Sequence, residues 1–252
     1  MNLSNHHAVV TGGATGIGLA ITKALYKEGA RVTIMGRNKS RLNEVADTSE
    51  LITAIEVDIS NQKNVEQAFK QASTLCPISI LINNAGAADT AAFHKTTYEQ
   101  WQNMLAINLT GSFLTTQAAL ADIKSAEEGR IINIASTAGL KGYAYTSAYT
   151  AAKHGIVGLT RSLALELSKT QVTVNAICPG FTNTAIVEHA IENITSKTNR
   201  TSEQALADLV SHNPQKRLIE VEEVAQTVLW LCHANSQSIT GQSIIIAGGE
   251  LM

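Results

Sequence analysis

The chain has 252 residues, 44% of them hydrophobic and 16% charged, with a formal net charge of −2. This length fits one α/β domain with a full core. The nearly balanced charge argues against nucleic-acid and membrane-surface binders, which need a basic patch. No apolar run reaches the roughly 18 residues that a membrane-spanning helix requires.

The chain start and the cysteines indicate the compartment. The sequence begins MNLSNHHAVVTGG, without the basic and apolar segments of a secretory signal peptide. Three cysteines, an odd number without metal-ligand spacing, suit a reducing compartment: Cys76, Cys178 and Cys232. We therefore expect a soluble cytoplasmic protein without a metal site.

Short apolar runs alternate with longer helical patterns along the chain. The runs predict strands at residues 7–11, 31–35, 54–57, 78–82, 130–135, 172–177 and 243–247. The helical patterns lie near residues 17–28, 61–73, 98–123, 148–168 and 221–233. Several strands are continuous Val/Ile runs, typical of strands buried on both faces. The alternation predicts a single domain, residues 1–252, with one doubly wound parallel sheet between two layers of helices.

A glycine-rich turn, TGGATGIG, follows the first predicted strand and opens the first predicted helix. Gly12, Gly16 and Gly18 would allow a tight turn and close backbone approach to a pyrophosphate at the helix N-terminus. The spacing is G-x-x-x-G-x-G, which differs from the G-x-G-x-x-G of other dinucleotide folds. A purely structural turn is the alternative, but the position between strand and helix favours a nucleotide site.

The run SAYTAAKHG places Tyr149 and Lys153 on one helix face, four residues apart. A nearby ammonium would lower the pKa of the phenol from its usual value of about 10, which suits proton transfer. The pair alone is more typical of an exposed tyrosine beside a solvated lysine.

These motifs, taken with NNAG (83–86), IAS ending at Ser136 and CPG (178–180), resemble the short-chain dehydrogenases/reductases. The resemblance runs from about residue 5 to the C-terminus. It implies a Rossmann-type fold and an NAD(P)-dependent oxidoreductase, usually a homotetramer, that needs no metal for hydride transfer. A tetramer would pair apolar residues on the outer faces of the predicted helices at 98–123 and 148–168: Leu105, Phe113, Leu114, Ile156, Leu159 and Leu163.

The resemblance assigns four catalytic roles. Tyr149 is the general acid/base, and Lys153 lowers its pKa and binds the nicotinamide ribose. Ser136 holds the substrate oxygen, and Asn108 positions a water in the proton relay. These roles suit a carbonyl that develops oxyanion charge as it accepts hydride. Individually, Ser136 could cap a strand end and Asn108 could be a polar helix residue, but the complete set favours catalysis.

The resemblance also implies a cofactor site. In it, Asp58 and Ile59 contact the adenine, Asn84 lies beside the adenosine ribose, and Thr182 and Thr184 reach the carboxamide and pyrophosphate. The full expected set is Gly12, Thr15, Gly16, Ile17, Gly18, Arg37, Asp58, Ile59, Asn84, Gly86, Tyr149, Lys153, Gly180, Thr182 and Thr184.

Residues 36 and 37 indicate which cofactor is preferred. Gly36 stands where NAD-dependent relatives carry an acidic residue, and Arg37 follows it. A guanidinium can pair with the 2′-phosphate, with no carboxylate to repel that phosphate. NADP(H) is therefore preferred over NAD(H), although a solvent-facing arginine is the alternative.

The loop at about residues 185–213 is long and has apolar residues at helical spacing, which predicts two helices forming a lid over the substrate. An inert helical hairpin is the alternative. Tyr143 and Tyr145 would line the mouth of the site or the surface. Three further polar residues are candidate substrate contacts but are more typical of a surface: His94, Gln100 and His189.

The lid and C-terminal half most resemble β-ketoacyl reductases and 3-hydroxybutyrate dehydrogenases. The 3-hydroxybutyrate dehydrogenases usually bind NAD, and Arg37 argues against NAD as the cofactor of this chain. The leading hypothesis is an NADPH-dependent reductase of a 3-oxoacyl thioester, carried on coenzyme A or an acyl carrier. The alternatives are a catabolic alcohol dehydrogenase or carbonyl reductase, and a non-catalytic NADP(H) sensor that would not need all four catalytic residues.

Overall fold

The computed structural model describes residues 2–252 and, of Lys197, its backbone alone. One sheet of seven strands forms the centre, in the order β3-β2-β1-β4-β5-β6-β7, and every neighbouring pair is parallel. The strands are β1 (His7–Thr11), β2 (Arg31–Gly36), β3 (Ile52–Glu56), β4 (Ile80–Asn83), β5 (Gly129–Ile134), β6 (Val172–Pro179) and β7 (Ser243–Ile246). This confirms the predicted doubly wound parallel sheet.

Helices cover both faces of the sheet. They are α1 (Gly16–Lys27), α2 (Lys39–Ala46), α3 (Gln62–Leu75), α4 (Tyr98–Leu105), α5 (Gly111–Ser125), α6 (Ser147–Glu166), α7 (Ala185–Lys197), α8 (Ser202–Ser211) and α9 (Val221–Cys232). Ile21 of α1 and Val228 of α9 belong to the core on one face, whereas Phe69 of α3 and Ile123 of α5 belong to the core on the other. The four central strands, β1, β4, β5 and β6, are thus buried along their whole length, whereas the edge strands β3 and β7 are partly exposed.

Helix α2 was not among the predicted helices. Leu42 is its buried residue, and Val45 and Ala46 one turn later are partly buried against the same core, so the apolar pattern spans a single turn, too short to reveal an amphipathic helix. The Asn38 side chain caps it by accepting a hydrogen bond from Arg41 N at 3.0 Å. The capping residue, Asn38, therefore indicates this helix better than its apolar pattern does.

The predicted continuous helix over residues 98–123 is wrong in one respect, because it is interrupted. A capping box of Thr97 and Gln100 begins α4, and a π-helical turn, Ala106–Thr110, separates α4 from α5. The turn contains Asn108. π-Helical turns are costly in isolation and recur at functional sites, where the widened turn re-aims a side chain.

Helices α7 and α8 lie where the two lid helices were predicted. A capping box at Thr201 begins α8. Val187 on α7 and Ala205 on α8 are buried. The Asn193 amide donates a hydrogen bond of 2.8 Å to Thr90 Oγ1, which ties α7 to the loop after β4. Within residues 2–252, no helix is both long and apolar enough to cross a membrane.

Candidate active site

The predicted site motifs follow the carboxyl ends of four adjacent strands. The glycine-rich turn follows β1, NNAG ends β4 and continues past it, Ser136 follows β5, and Gly180 follows β6. Strand order reverses between β1 and β4, and ligands of doubly wound sheets bind in the crevice at such a switch point.

The glycine-rich turn has the shape of a phosphate cradle. Gly12 and Gly16 have positive φ values of 65° and 48°, which residues with a Cβ rarely adopt. A Cβ on Gly18 would lie 2.1 Å from the Gly12 carbonyl oxygen, so the turn closes only around a bare backbone. Helix α1 begins at Gly16, with Thr15 exposed beside it and Ile17 half-buried. These features fit a dinucleotide pyrophosphate at the helix N-terminus.

Asn84, the residue directly after β4, supports this turn. Its Nδ2 donates hydrogen bonds to the carbonyl oxygens of Thr11, at 2.9 Å, and Gly12, at 3.3 Å. Thr11 Oγ1 in return accepts hydrogen bonds from the backbone N–H groups of Asn84 and Ala85, each at 3.0 Å. The structure therefore uses the Asn84 amide to hold the turn, and its ribose contact stays a prediction. Sequence reasoning missed Thr11.

Asn108 and Lys153 meet at Gly86. The buried Asn108 amide donates to the carbonyl oxygens of Ala87, at 2.9 Å, and Met104, at 3.1 Å, and its Oδ1 accepts from Ala87 N at 3.2 Å. A Cβ on Gly86 would lie 2.8 Å from Asn108 Oδ1 and 3.7 Å from Lys153 Nζ. The side chains predicted to form the proton relay are thus brought together.

The lysine ammonium is buried and bound. Lys153 is 5% exposed, and its Nζ donates a hydrogen bond of 2.9 Å to the Ile134 carbonyl oxygen at the end of β5. The Nζ atom is 5.6 Å from the Tyr149 ring centroid. Burial lowers the pKa of Lys153 to about 8.

The pKa of Tyr149 differs from the sequence expectation. Burial raises it, and a hydrogen-bonding interaction with the Ser136 side chain opposes the rise. The expected net lowering of this pKa is therefore wrong for the protein in this structure, because desolvation of the phenolate is the largest cause and raises the pKa. Ser136 Oγ also accepts a hydrogen bond of 3.1 Å from Ala138 N, so the capping alternative holds beside the proximity to Tyr149.

The region expected to hold the adenosine half lies after β2 and β3. Arg37 is exposed just before α2, and Gly36 has room for a side chain, since an added Cβ would meet only Leu42, at 3.8 Å. Hydrogen bonds from Ser60 hold the pKa of Asp58 below its usual value, and the charge of Arg37 adds to this effect. Arg37 and Asp58 thus flank the same part of the crevice. Ile59 is buried; a Cβ on Gly111 would come within 2.7 Å of its side chain.

The turn after β6 lies against the glycine-rich turn. Thr182 is buried, pairs with Ile219 in an isolated bridge and donates from Oγ1 to the Gly180 carbonyl oxygen at 3.0 Å. Thr184 donates to the Thr182 carbonyl oxygen at 3.1 Å, and its Cγ2 lies 3.2 Å from the position of a Cβ on Gly16. The predicted pyrophosphate contacts on both turns therefore face one space.

Comparison with known proteins decides the family. The sequence model described as short chain dehydrogenase matches residues 6–195. The chain belongs to the short chain dehydrogenase family. It is therefore an oxidoreductase of a family that binds a nicotinamide cofactor, as the motifs predicted.

Similar proteins cover almost the whole of this short chain dehydrogenase. The D-beta-hydroxybutyrate dehydrogenase of Rhizobium meliloti (strain 1021) is 37% identical over 250 residues, 96% of this chain and 97% of that protein. The acetoacetyl-CoA reductase of the same organism is 36% identical over 244 residues, again 96% and 97%. A crystal structure of a variant actinorhodin polyketide ketoreductase with NADPH superposes with a TM-score of 0.92, at 32% identity, covering 99% of both chains.

Sequence reasoning missed one cluster at the site of this short chain dehydrogenase. The Glu250 side chain is 1% exposed, and its Oε1 lies 2.9 Å from Lys141 Nζ and 2.5 Å from the Tyr143 hydroxyl. Tyr143, predicted to line the mouth or surface, is half-buried and also contacts Thr137 Oγ1 at 2.6 Å. Glu250 is separated from these residues by more than 100 positions, so no local pattern signals the contact.

The other candidate substrate contacts either bind different side chains or are exposed to solvent. Gln100 caps α4 and donates to Asp89 Oδ2 at 3.3 Å, and His189 pairs with Glu192 at 3.0 Å on the exposed side of α7. His94 and Tyr145 are exposed. Among residues 2–252, no three His, Cys, Asp or Glu side chains are grouped as a metal site would require.

Proposed function

We propose that this short chain dehydrogenase is an NADPH-dependent ketone reductase. Its expected substrate is a 3-oxoacyl thioester on coenzyme A or an acyl carrier, with the reverse reaction a 3-hydroxyacyl dehydrogenation. The observation that carries the proposal is the meeting of Ser136, Tyr149, Lys153 and Asn108 beside a glycine-lined turn. The cytoplasm is the proposed location.

The proposed chemistry assigns one task to each residue. Bound NADPH supplies the hydride. The Ser136 and Tyr149 hydroxyls stabilise the oxygen that becomes negative, and Tyr149 gives it a proton. A raised pKa keeps Tyr149 protonated at neutral pH, which suits the acid of a reduction. The Ile134 carbonyl oxygen holds the Lys153 ammonium in place. In this position Lys153 would bind the nicotinamide ribose and supply a local positive charge.

The cofactor preference rests on the surroundings of the expected 2′-phosphate. Gly36 supplies no carboxylate there, and Arg37 is exposed and available for a phosphate. The capped N-terminus of α2 follows directly and adds the positive end of its dipole. The ketoreductase of similar structure was solved with NADPH. These observations support NADP(H) over NAD(H).

The proposed substrate rests on the relatives and on the region after β6. Besides the acetoacetyl-CoA reductase, a 3-oxoacyl-[acyl-carrier-protein] reductase of Aquifex aeolicus (strain VF5) is 34% identical over 255 residues, 99% of this chain. Helices α7 and α8 would form the lid, and the exposed Ile186 offers an apolar contact for an acyl chain. The hydrogen bond from Asn193 to Thr90, on the loop after β4, supports a lid in this position.

A second candidate is a 3-hydroxybutyrate dehydrogenase, favoured by the name of a relative at 37% identity. Its substrate ends in a carboxylate, which needs a positively charged partner. Lys141 is the cation beside Tyr143, and it is already bound to Glu250. This pairing favours the uncharged thioester.

The test is oxidation of NADPH followed at 340 nm with acetoacetyl-CoA, acetoacetate and no ketone. We expect steady turnover with acetoacetyl-CoA and much slower turnover with acetoacetate. Faster use of acetoacetate with NADH would favour the dehydrogenase. Binding of NADPH without turnover of a broad ketone panel would favour a sensor.

We also propose a homotetramer. Among the residues that suggested it, Phe113 on α5 is 46% exposed, whereas Ile156 lies in the core. Leu165 on α6 is a further exposed apolar side chain, 77% exposed. Such side chains are normally covered when helices pair across a two-fold axis.

A further inference from the structure

Glu250 is a buried carboxylate near the C-terminus with bonds to the loop between β5 and α6. Its side chain is 1% exposed, whereas Lys141, its ion-pair partner, is 32% exposed. Buried carboxylates are retained at a cost in desolvation unless they are paired and hydrogen-bonded. Glu250 meets both conditions.

The donors can be assigned along the cluster. A carboxylate accepts, so the Tyr143 hydroxyl donates to Glu250 Oε1 at 2.5 Å. Its single proton is then used, and Thr137 Oγ1 donates to the Tyr143 oxygen at 2.6 Å. Lys141 Nζ donates to the same carboxylate and lies 4.7 Å from the Tyr143 ring centre. The ammonium and carboxylate charges cancel.

The cluster lies next to the proposed reaction centre. Thr137 directly follows Ser136. Burial chiefly raises the pKa of Tyr143, with contributions from Glu250 and from the nearby Tyr149. Glu250 Oε2 lies 3.1 Å from the position of a Cβ on Gly180. The carboxylate is thus held between the two chain segments, after β5 and after β6, that flank the substrate position.

We infer that Glu250 is a specificity-determining residue: by neutralising Lys141 it makes the site accept 3-oxo compounds with an uncharged acyl end and reject those that end in a free carboxylate. The inference rests on the proposed ketone reduction. A free ammonium at this position would attract a substrate carboxylate, as charge-assisted hydrogen bonds do. The paired ammonium offers it no net charge.

The test compares acetoacetate with its uncharged methyl ester in the full-length protein. For each, kcat/KM is measured with NADPH in the wild type, Glu250→Gln and Lys141→Met/Glu250→Gln. Glutamine keeps the size of glutamate and one accepting oxygen, but it replaces the other oxygen with a donating amide and removes the charge. We expect Glu250→Gln to raise the acetoacetate-to-ester ratio about tenfold and the double variant to lose this gain. Glu223→Gln, which breaks an exposed ion pair with Arg217, is the matched control and should leave the ratio unchanged.

Lys141→Met alone provides a second arm if Glu250→Gln does not fold. It leaves the carboxylate without its cation, so the acetoacetate-to-ester ratio should fall. Three outcomes would overturn the inference and leave ketone reduction standing. They are an unchanged ratio in either single variant, a gain that persists in the double variant, and equal rates with both compounds in the wild type. Loss of ester turnover in a folded Glu250→Gln protein would also overturn it, because the residue would then be structural. A wild type that reduces neither compound nor acetoacetyl-CoA would reject the proposed function and this inference with it.

Discussion

The Nζ atom of Lys153 lies 5.6 Å from the centre of the Tyr149 ring, with both residues on one face of α6. Burial gives Lys153 a pKa of about 8, whereas Tyr149 has a raised pKa. Between neutrality and pH 8 the lysine is therefore charged and the phenol is protonated. This is the combination that a reduction needs, because the phenol must give up a proton and the cation must stabilise the result.

The first prediction concerns pH. Since the charged form of Lys153 exists below its pKa, kcat/KM for NADPH should decline as the pH rises through about 8. Lys153→Met should be slow at every pH and should lose this decline. An alkaline limb of unchanged position in Lys153→Met would show that another group titrates there.

The second prediction concerns the contact of Gly86 with Asn108. In Gly86→Ala the new methyl group would lie 2.8 Å from Asn108 Oδ1 and would displace the amide from Ala87. We expect kcat to fall by about tenfold to a hundredfold, within the range of a misplaced catalytic group. Gly142→Ala is the matched control, because nothing lies within 4 Å of its added Cβ. Equal rates in the two variants would contradict a role for the position of Asn108.

The third prediction concerns assembly. Light scattering after size-exclusion chromatography should give four times the chain mass of 26.8 kDa. Phe113→Glu/Leu165→Glu should reduce the mass, because charges would be buried in the contact. Leu75→Glu, which changes a leucine on α3 that is 43% exposed, close to the 46% of Phe113, should not. A stable and active wild-type monomer would refute the tetramer.

The fourth prediction concerns cofactor choice. A charge-assisted hydrogen bond between Arg37 and a 2′-phosphate contributes roughly 1–3 kcal/mol, so NADPH should be preferred by about tenfold to a hundredfold in apparent affinity. Gly36→Asp/Arg37→Ser should reverse the order, and an added Cβ at position 36 would meet only Leu42, at 3.8 Å. Arg31→Gln, at the opposite end of β2, is the control. Equal Michaelis constants for NADPH and NADH in the wild type would show that Arg37 faces solvent.

Much of this fold could be predicted from local sequence patterns. Each of the seven strands carries an apolar run, and the sheet follows from the alternation of these runs with helices. The pattern fails where local signals are weak, as in α2, where Leu42 is the buried residue. It also fails at the π-helical turn around Asn108, because an interrupted helix retains the apolar spacing of a continuous one.

The candidate site also has a part that local sequence patterns predict and a part that they do not. Tyr149, Lys153 and the glycines stand in short motifs, so their neighbourhood could be predicted. The raised pKa of Tyr149 could not, because it depends on how much water the folded chain excludes. Neither could the bond between Tyr143 and Glu250, which joins positions 107 residues apart through the topology of the sheet.

The central claim is that Tyr149 protonates the oxygen of a ketone reduced by NADPH. The most direct measurement is the rate of NADPH oxidation with acetoacetyl-CoA in the wild type and in Tyr149→Phe, together with NADPH binding to both by fluorescence titration. We expect the wild type to turn over and the variant to lose about 10²–10⁴-fold in rate while binding NADPH almost as well, because the ring remains and only the proton donor is removed. A variant that keeps more than about a tenth of the wild-type rate would contradict the claim, since a general acid contributes at least about 10²-fold.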